Sequence, residues 1–178
     1  MARNIYGLDL GSYEIKVYDK KKDTIWKEKD VIAIADKKEI FAVGDDAYEM
    51  YEKAPSNIEV VFPMKEGVIS RFNNMQFLLQ NLLKKDRQFA RGSEYVIAVP
   101  TDVTEVEKKA FFDLVIHSTA RAREVNIVER SIADAVGLNL DVKNTGGLFI
   151  ANFGGETTEL SVLAGGGMVM NRLLKIGG

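Results

Sequence analysis

The sequence contains no cysteine, which excludes disulfides and thiolate catalysis. It contains one histidine, His117, late in a predicted helix. A lone histidine makes a poor metal centre, so His117 is read as structural. No excess of either charge is present: the net charge is −2, and nothing marks a nucleic-acid surface. No apolar run approaches the roughly 20 residues needed to span a bilayer. The N-terminus enters a strand within a few residues and leaves no room for a signal peptide. Together these absences predict a soluble cytoplasmic protein. What remains is ordinary: 178 residues, 46% hydrophobic and 28% charged, enough for one compact domain or two small ones.

The chain is organised around a stretch that occurs twice. Gly7-Leu8-Asp9-Leu10-Gly11-Ser12 closes one predicted strand and opens another, and Ile150-Ala151-Asn152-Phe153-Gly154-Gly155 does the same near the C-terminus. Each copy reads as strand, glycine turn, strand. Such turns leave backbone N–H groups free to converge on an anion, and two facing each other would hold a phosphate chain from both sides. The plainer reading is two ordinary glycine hairpins. Their matching positions favour a duplicated unit.

Taken in order, residues 5–10 and 15–18 predict a hairpin around Gly11, followed by a charged turn at 19–23. Short β-prone runs at 25–26, 31–34 and 40–43 lead to a short helix from Gly44 carrying Ala47, Met50 and Tyr51. Residues 31–70 read as a small insertion with its own hairpins. Asn73 or Asn74 is the predicted cap of a helix carrying Met75, Leu78, Leu79, Leu82 and Leu83. Residues 95–99 are a continuous apolar run, which predicts a strand covered on both faces. Thr104-Glu105-Val106-Glu107 fits a capping box, and Val106, Ala110, Phe111, Leu114 and Val115 predict that helix's apolar face. A strand at 125–128 and a short helix at 131–136, stopped by Gly137, complete the α/β pattern. Three further β runs fill 148–174.

These residues carry a resemblance. The first glycine stretch resembles the first phosphate loop of the actin, heat-shock chaperone and sugar-kinase ATPase superfamily. Within it the chain is most similar to the MreB-like bacterial actins. Phe41-Ala42-Val43-Gly44-Asp45-Asp46-Ala47, Pro63-Met64-Lys65-Glu66-Gly67-Val68-Ile69, Val99-Pro100-Thr101-Asp102-Val103-Thr104-Glu105-Val106-Glu107, Ala122-Arg123-Glu124-Val125 and Gly154-Gly155-Glu156-Thr157-Thr158-Glu159 all match in residue and order. The fold implied is α/β, an actin-like ATPase (ribonuclease H-like) subdomain with a small α+β insertion and the start of a second sheet. The resemblance divides the chain into subdomain IA at 1–30 and 72–140, subdomain IB at 31–71, and the start of subdomain IIA at 148–178. A full MreB-like protein continues for about as long again past Gly178, so the resemblance implies a half molecule.

It also implies a site. Asp9 matches the residue that holds hydrated Mg²⁺, with Asn152 as its second-loop counterpart. Gly11, Ser12, Tyr13, Gly154, Gly155, Thr157 and Thr158 match the phosphate-binding loops for ATP or ADP. The family's water-positioning Glu-Glu-Pro run is Glu129-Arg130-Ser131 here. Arg130 stands at the second Glu, the position taken as catalytic, and Glu129 substitutes only if the register shifts by one. Other departures are Asn152 for an Asp, Glu156 for a Gly, and Glu14 for a small polar residue. Glu156 and Glu14 either face the phosphates or point to solvent. Together the departures imply weakened or lost ATP hydrolysis, and with half of the cleft missing they imply weak or absent nucleotide binding by this chain. The function implied is a cytoskeletal filament protein of cell-shape determination with adenine nucleotide between its two halves. Its implied partners are further copies of itself, including a dimer of this chain, and cell-wall synthesis proteins. A loop around Phe89, between Arg87 and Arg91, would touch the membrane surface, or is simply solvated. The rival readings are a degenerate scaffold without ATP turnover, and a kinase- or chaperone-type ATPase of the same superfamily.

Overall fold

The computed structural model describes residues 4–85, 92–118, 122–144 and 146–178. A five-stranded mixed sheet is built from β1 (Ile5–Leu10), β2 (Glu14–Asp19), β3 (Thr24–Lys29), β9 (Glu94–Val99) and β10 (Glu124–Glu129), in the order β10-β9-β1-β2-β3. The meander β1–β2–β3 is antiparallel, whereas β9 runs parallel to both β1 and β10.

Alternation along these strands sends one set of side chains into the core. Tyr6, Leu8 and Leu10 of β1 and Tyr95, Ile97 and Val99 of β9 pack beneath α2 (Phe72–Lys85) and α3 (Glu105–Ile116). Met75, Leu78, Leu79 and Leu82 of α2 and Phe111, Leu114 and Val115 of α3 close that layer, all fully buried.

Between β3 and α2 lie β4 (Ile32–Ala35), β5 (Glu39–Val43), α1 (Asp45–Tyr48) and β6 (Ile58–Val61). The three strands form a separate sheet, β5-β4-β6, with its own small core of Val31, Ala33 and Ala47. A two-stranded hairpin, β7 (Met64–Lys65) and β8 (Val68–Ile69), leads back to α2. After β10 comes α4 (Arg130–Gly137), then a third sheet, β11 (Leu148–Phe153), β12 (Thr158–Ala164) and β13 (Gly167–Leu174), antiparallel throughout.

Several local expectations change in three dimensions. β9 is not covered on both faces: Tyr95, Ile97 and Val99 are fully buried, but Val96 and Ala98 border a shallow groove on the sheet's other side. Helix α2 starts at Phe72, ahead of both asparagines, because Met75 N–H already donates to Arg71 O. The capping box of α3 is present in full, Thr104 accepting from Glu107 N–H and the Glu107 carboxylate from Thr104 N–H, yet Val106 in its first turn is 79% exposed. Helix α1 ends at Tyr48, so Met50 and Tyr51 lie in the turns beyond it.

Gly137 is not the stop of helix α4 but its last helical residue, and the helix is ended by the two residues that follow. Asn139 adopts the left-handed φ of 55°, its N–H donating to Val136 O while Leu140 N–H donates to Ala135 O. This pair of bonds is a Schellman cap with asparagine in the usual glycine position. Leu140 then packs with Ala135 beneath the third sheet.

Candidate functional site

The two glycine turns are built alike. In the first, Gly11 N–H donates to Glu14 O at 3.2 Å; in the second, Gly154 N–H donates to Thr157 O at 2.8 Å. A Cβ on either glycine would press on that same carbonyl, at 2.8 Å and 3.0 Å. The turns face each other so closely that a Cβ on Gly155 would lie 2.9 Å from Tyr13 Cβ. The N–H groups of Ser12, Tyr13, Gly155 and Glu156 find no acceptor among the described residues.

The β7–β8 turn clamps both. Gly67 N–H donates to Ser12 Oγ at 3.1 Å, and Glu66 N–H donates to Glu156 Oε2 at 2.6 Å. A cleft of ≈ 460 Å³ opens between the turns, floored by Asp9, Arg130, Asp134 and Asn152. That size suits a small ligand.

Charges in the cleft are paired. Asp9 Oδ2 accepts from Lys16 Nζ at 3.0 Å and Asp9 Oδ1 from Arg130 Nη2 at 3.3 Å. Asn152 Nδ2 donates to Asp134 Oδ2 at 2.7 Å. Burial raises the Asp134 carboxyl above its usual range, although the Asn152 bond and Arg130 oppose this. Glu14 pairs with Lys27 at 3.6 Å. Glu156 is committed to the Glu66 N–H, and the Glu66 carboxylate pairs with Lys175, which holds it below the ordinary carboxylate range.

Of the residues predicted from sequence, Asp9, Gly11, Ser12, Tyr13, Arg130, Asn152, Gly154, Gly155 and Thr157 come together around this one cleft. Thr158 does not: it is buried at the start of β12 and its hydroxyl donates to Ile176 O. Glu129 occupies the N-cap position of α4 without a side-chain capping bond and is not among the lining residues. His117 forms the C-cap of α3, well away from the cleft. The Phe89 loop lies outside the described residues.

Sequence reasoning missed Lys16 and Asp134. Lys16 was within reach, since the hairpin register sets it directly opposite Asp9, and opposite charges at facing positions attract. Asp134 had only its spacing of one helical turn from Arg130 as a signal.

One buried acid braces the first turn through its backbone N–H. Asp30 is fully buried; its N–H donates to Tyr13 O at 3.0 Å and its Oδ2 accepts from Met64 N–H at 3.2 Å. Its other oxygen has no partner. Burial pushes this carboxyl up to about 8, against the Met64 bond and with help from Glu156. The folded state therefore holds a proton that the unfolded chain releases near pH 4. Stability is highest below that pH and falls as pH rises through about 8. Asp30→Asn keeps an acceptor for Met64 and removes the titration. Its thermal midpoint is expected to exceed that of the parent at pH 9 and to change little between pH 6 and 9. Midpoints that fall in parallel for both chains would show that Asp30 is ionised throughout.

The model of the MreB/Mbl protein family matches residues 3–178. The chain is 34% identical to the cell shape-determining protein MreB of Escherichia coli K12, an alignment covering 100% of this chain and 53% of that protein. It is 30% identical to the cell shape-determining protein Mbl of Bacillus subtilis, covering 99% and 53%. The chain thus spans about half the length of the curated relatives it matches. Among solved structures it is similar to MreB5 of Spiroplasma citri bound to ADP, with a TM-score of 0.90 at 27% identity over 99% of this chain. The MamK double helical filament shares the fold, with a TM-score of 0.78 at 21% identity.

Proposed function

This chain belongs to the MreB/Mbl family of cell shape-determining proteins, and we propose that it binds the phosphates of an adenine nucleotide between its two glycine turns as part of a filament-forming cytoskeletal protein. The observation that carries this reading is the approach of the turns. Gly155 sits where a side chain would strike Tyr13, and N–H groups from both turns are left without acceptors at the rim of one cleft. Such groups are the usual cradle for phosphate oxygens. The bound ADP of the Spiroplasma citri relative supports the choice of nucleotide. In this reading residues 1–30 and 72–140 form subdomain IA, residues 31–71 subdomain IB, and residues 148–178 begin subdomain IIA.

Binding is expected to be weaker than about 1 μM, because Asn152 brings an amide where the resemblance places a carboxylate and the chain spans about half the length of its relatives. Calorimetric titration of the chain with ADP checks this. A saturable one-to-one isotherm is expected, lost in Gly155→Val, whose side chain would fill the gap to Tyr13. An unchanged isotherm in that variant would place the nucleotide elsewhere. No heat at any concentration, with the chain folded, would end the nucleotide reading.

A second reading, a scaffold that binds nucleotide without turning it over, is favoured by one contact. Arg130, at the position where the resemblance places a water-orienting carboxylate, is paired with Asp9 instead.

A further inference from the structure

We propose that the guanidinium of Arg130 takes the place of a divalent cation in this cleft, so that nucleotide phosphates bind here without metal. This rests on the nucleotide reading of the cleft and goes beyond it. A magnesium ion needs several oxygen ligands in near-octahedral array, a carboxylate among them. The residues present do not offer that set. Asp9 closes β1 with both oxygens engaged, one by Arg130 Nη2 and the other by Lys16 Nζ. Asn152 turns its amide nitrogen, not its oxygen, toward the neighbouring carboxylate Asp134. No group of three or more metal-ligating side chains exists among the described residues. A metal ion approaching Asp9 would meet two cations already paired with it.

Those cations are held as part of the fold. Lys16 faces Asp9 across the β1–β2 hairpin. Arg130 is the first residue of α4, its side chain only 11% exposed, with Asp134 one turn further along. A guanidinium carries five N–H donors in a planar fork, and the contact to Asp9 uses one of its two terminal nitrogens. The remaining donors suit the oxygens of a phosphate chain, which arginine binds in paired, charge-assisted bonds. The positive charge that a metal would bring with the nucleotide is thus supplied by the protein. It sits beside the backbone cradle before any ligand arrives.

The test is titration of the chain with ADP, once in EDTA and once in excess Mg²⁺. Affinity is expected to agree within about threefold between the two. Arg130→Gln is expected to weaken binding in EDTA by about 10–100-fold, the worth of charge-assisted bonds to phosphate. Arg130→Glu should make binding depend on metal, because it sets a second carboxylate beside Asp9. Circular dichroism establishes that each variant is folded, and Lys16→Gln serves as a second probe of the same charge pair. Electron paramagnetic resonance with Mn²⁺ gives a direct readout: the parent chain with ADP should immobilise no ion, and Arg130→Glu should. Binding of ADP by the parent only in Mg²⁺ would overturn this proposal and leave the nucleotide reading standing. Metal-free binding that Arg130→Gln leaves unchanged would overturn the role of Arg130. No binding in either medium would overturn both readings.

Discussion

The chain is expected to associate with itself through its third sheet, and replacing Phe149 and Phe153 together by serine is expected to leave it monomeric. The register of the third sheet lines Phe149, Ala151 and Phe153 of β11 beside Val162, Leu160 and Thr158 of β12, and these beside Met170, Arg172 and Leu174 of β13. All nine share one face. Phe149 is 69% exposed, Phe153 77% and Met170 62%. Three large exposed apolar side chains on one face, with Arg172 its one charged residue, make a patch of the kind that marks an interaction surface. Both outer strands are also sheet edges among the described residues, and an unpaired edge invites pairing with another chain. A symmetric dimer buries the same patch twice. A central aromatic in an interface is worth about 2 kcal/mol or more, so losing two should weaken association by about a thousandfold. Folding should be little affected, since neither ring is in the core and surface changes usually stay within about 0.5 kcal/mol. Sedimentation equilibrium decides the matter. A parent chain that stays monomeric at high concentration, or a double variant that associates as before, would place any self-contact elsewhere.

The second large effect concerns turnover. ATP hydrolysis is expected to be about 10²–10⁴-fold slower than in a relative with a carboxylate at the Arg130 position, the usual cost of losing a general base. A guanidinium has no acceptor and cannot receive a proton at any accessible pH, so Arg130 cannot orient an attacking water by accepting from it. Glu129 cannot replace it from its present place, because it occupies the N-cap position of α4 outside the cleft lining. Asp134 lines the cleft, but it accepts a bond from Asn152 and burial disfavours its ionisation. Phosphate release followed in steady state is expected to be near background, to stay there in Glu129→Ala and to rise in Arg130→Glu. Turnover at the pace of carboxylate-bearing relatives would show that the water is positioned by a group other than these three.

Between them these residues also show how far the sequence alone reaches. The strands around Gly11 and Gly154 and the helix start at Thr104 could be read from the chain, because each signal is confined to a few neighbouring residues. A turn too tight for a Cβ needs glycine wherever it occurs. A capping box closes between Thr104 and Glu107 with no help from the rest of the molecule. The same holds for the apolar spacing of α2, which fixes its buried face before anything packs against it. The family signature likewise lies in local runs, and so the fold was legible.

Tertiary structure decided which charges meet. Asp9 and Arg130 are 121 residues apart in sequence, and no periodicity links them; only the parallel pairing of β1, β9 and β10 carries the start of α4 to the end of β1. Glu156 could as well have faced a phosphate or the solvent. It accepts the Glu66 N–H, 90 positions away, because the β7–β8 turn reaches across both glycine turns and leaves that donor unsatisfied until a carboxylate arrives. Asp30 reads as one more surface acid in a charged segment. The fold buries it completely between the first turn and Met64, and that burial raises its carboxyl to about 8. Local sequence determines the backbone and the buried stripe, because those follow from short-range sterics and from hydrophobicity repeated along the chain. The pairing of ionised groups depends on desolvation and distance, and both exist only once the elements have packed.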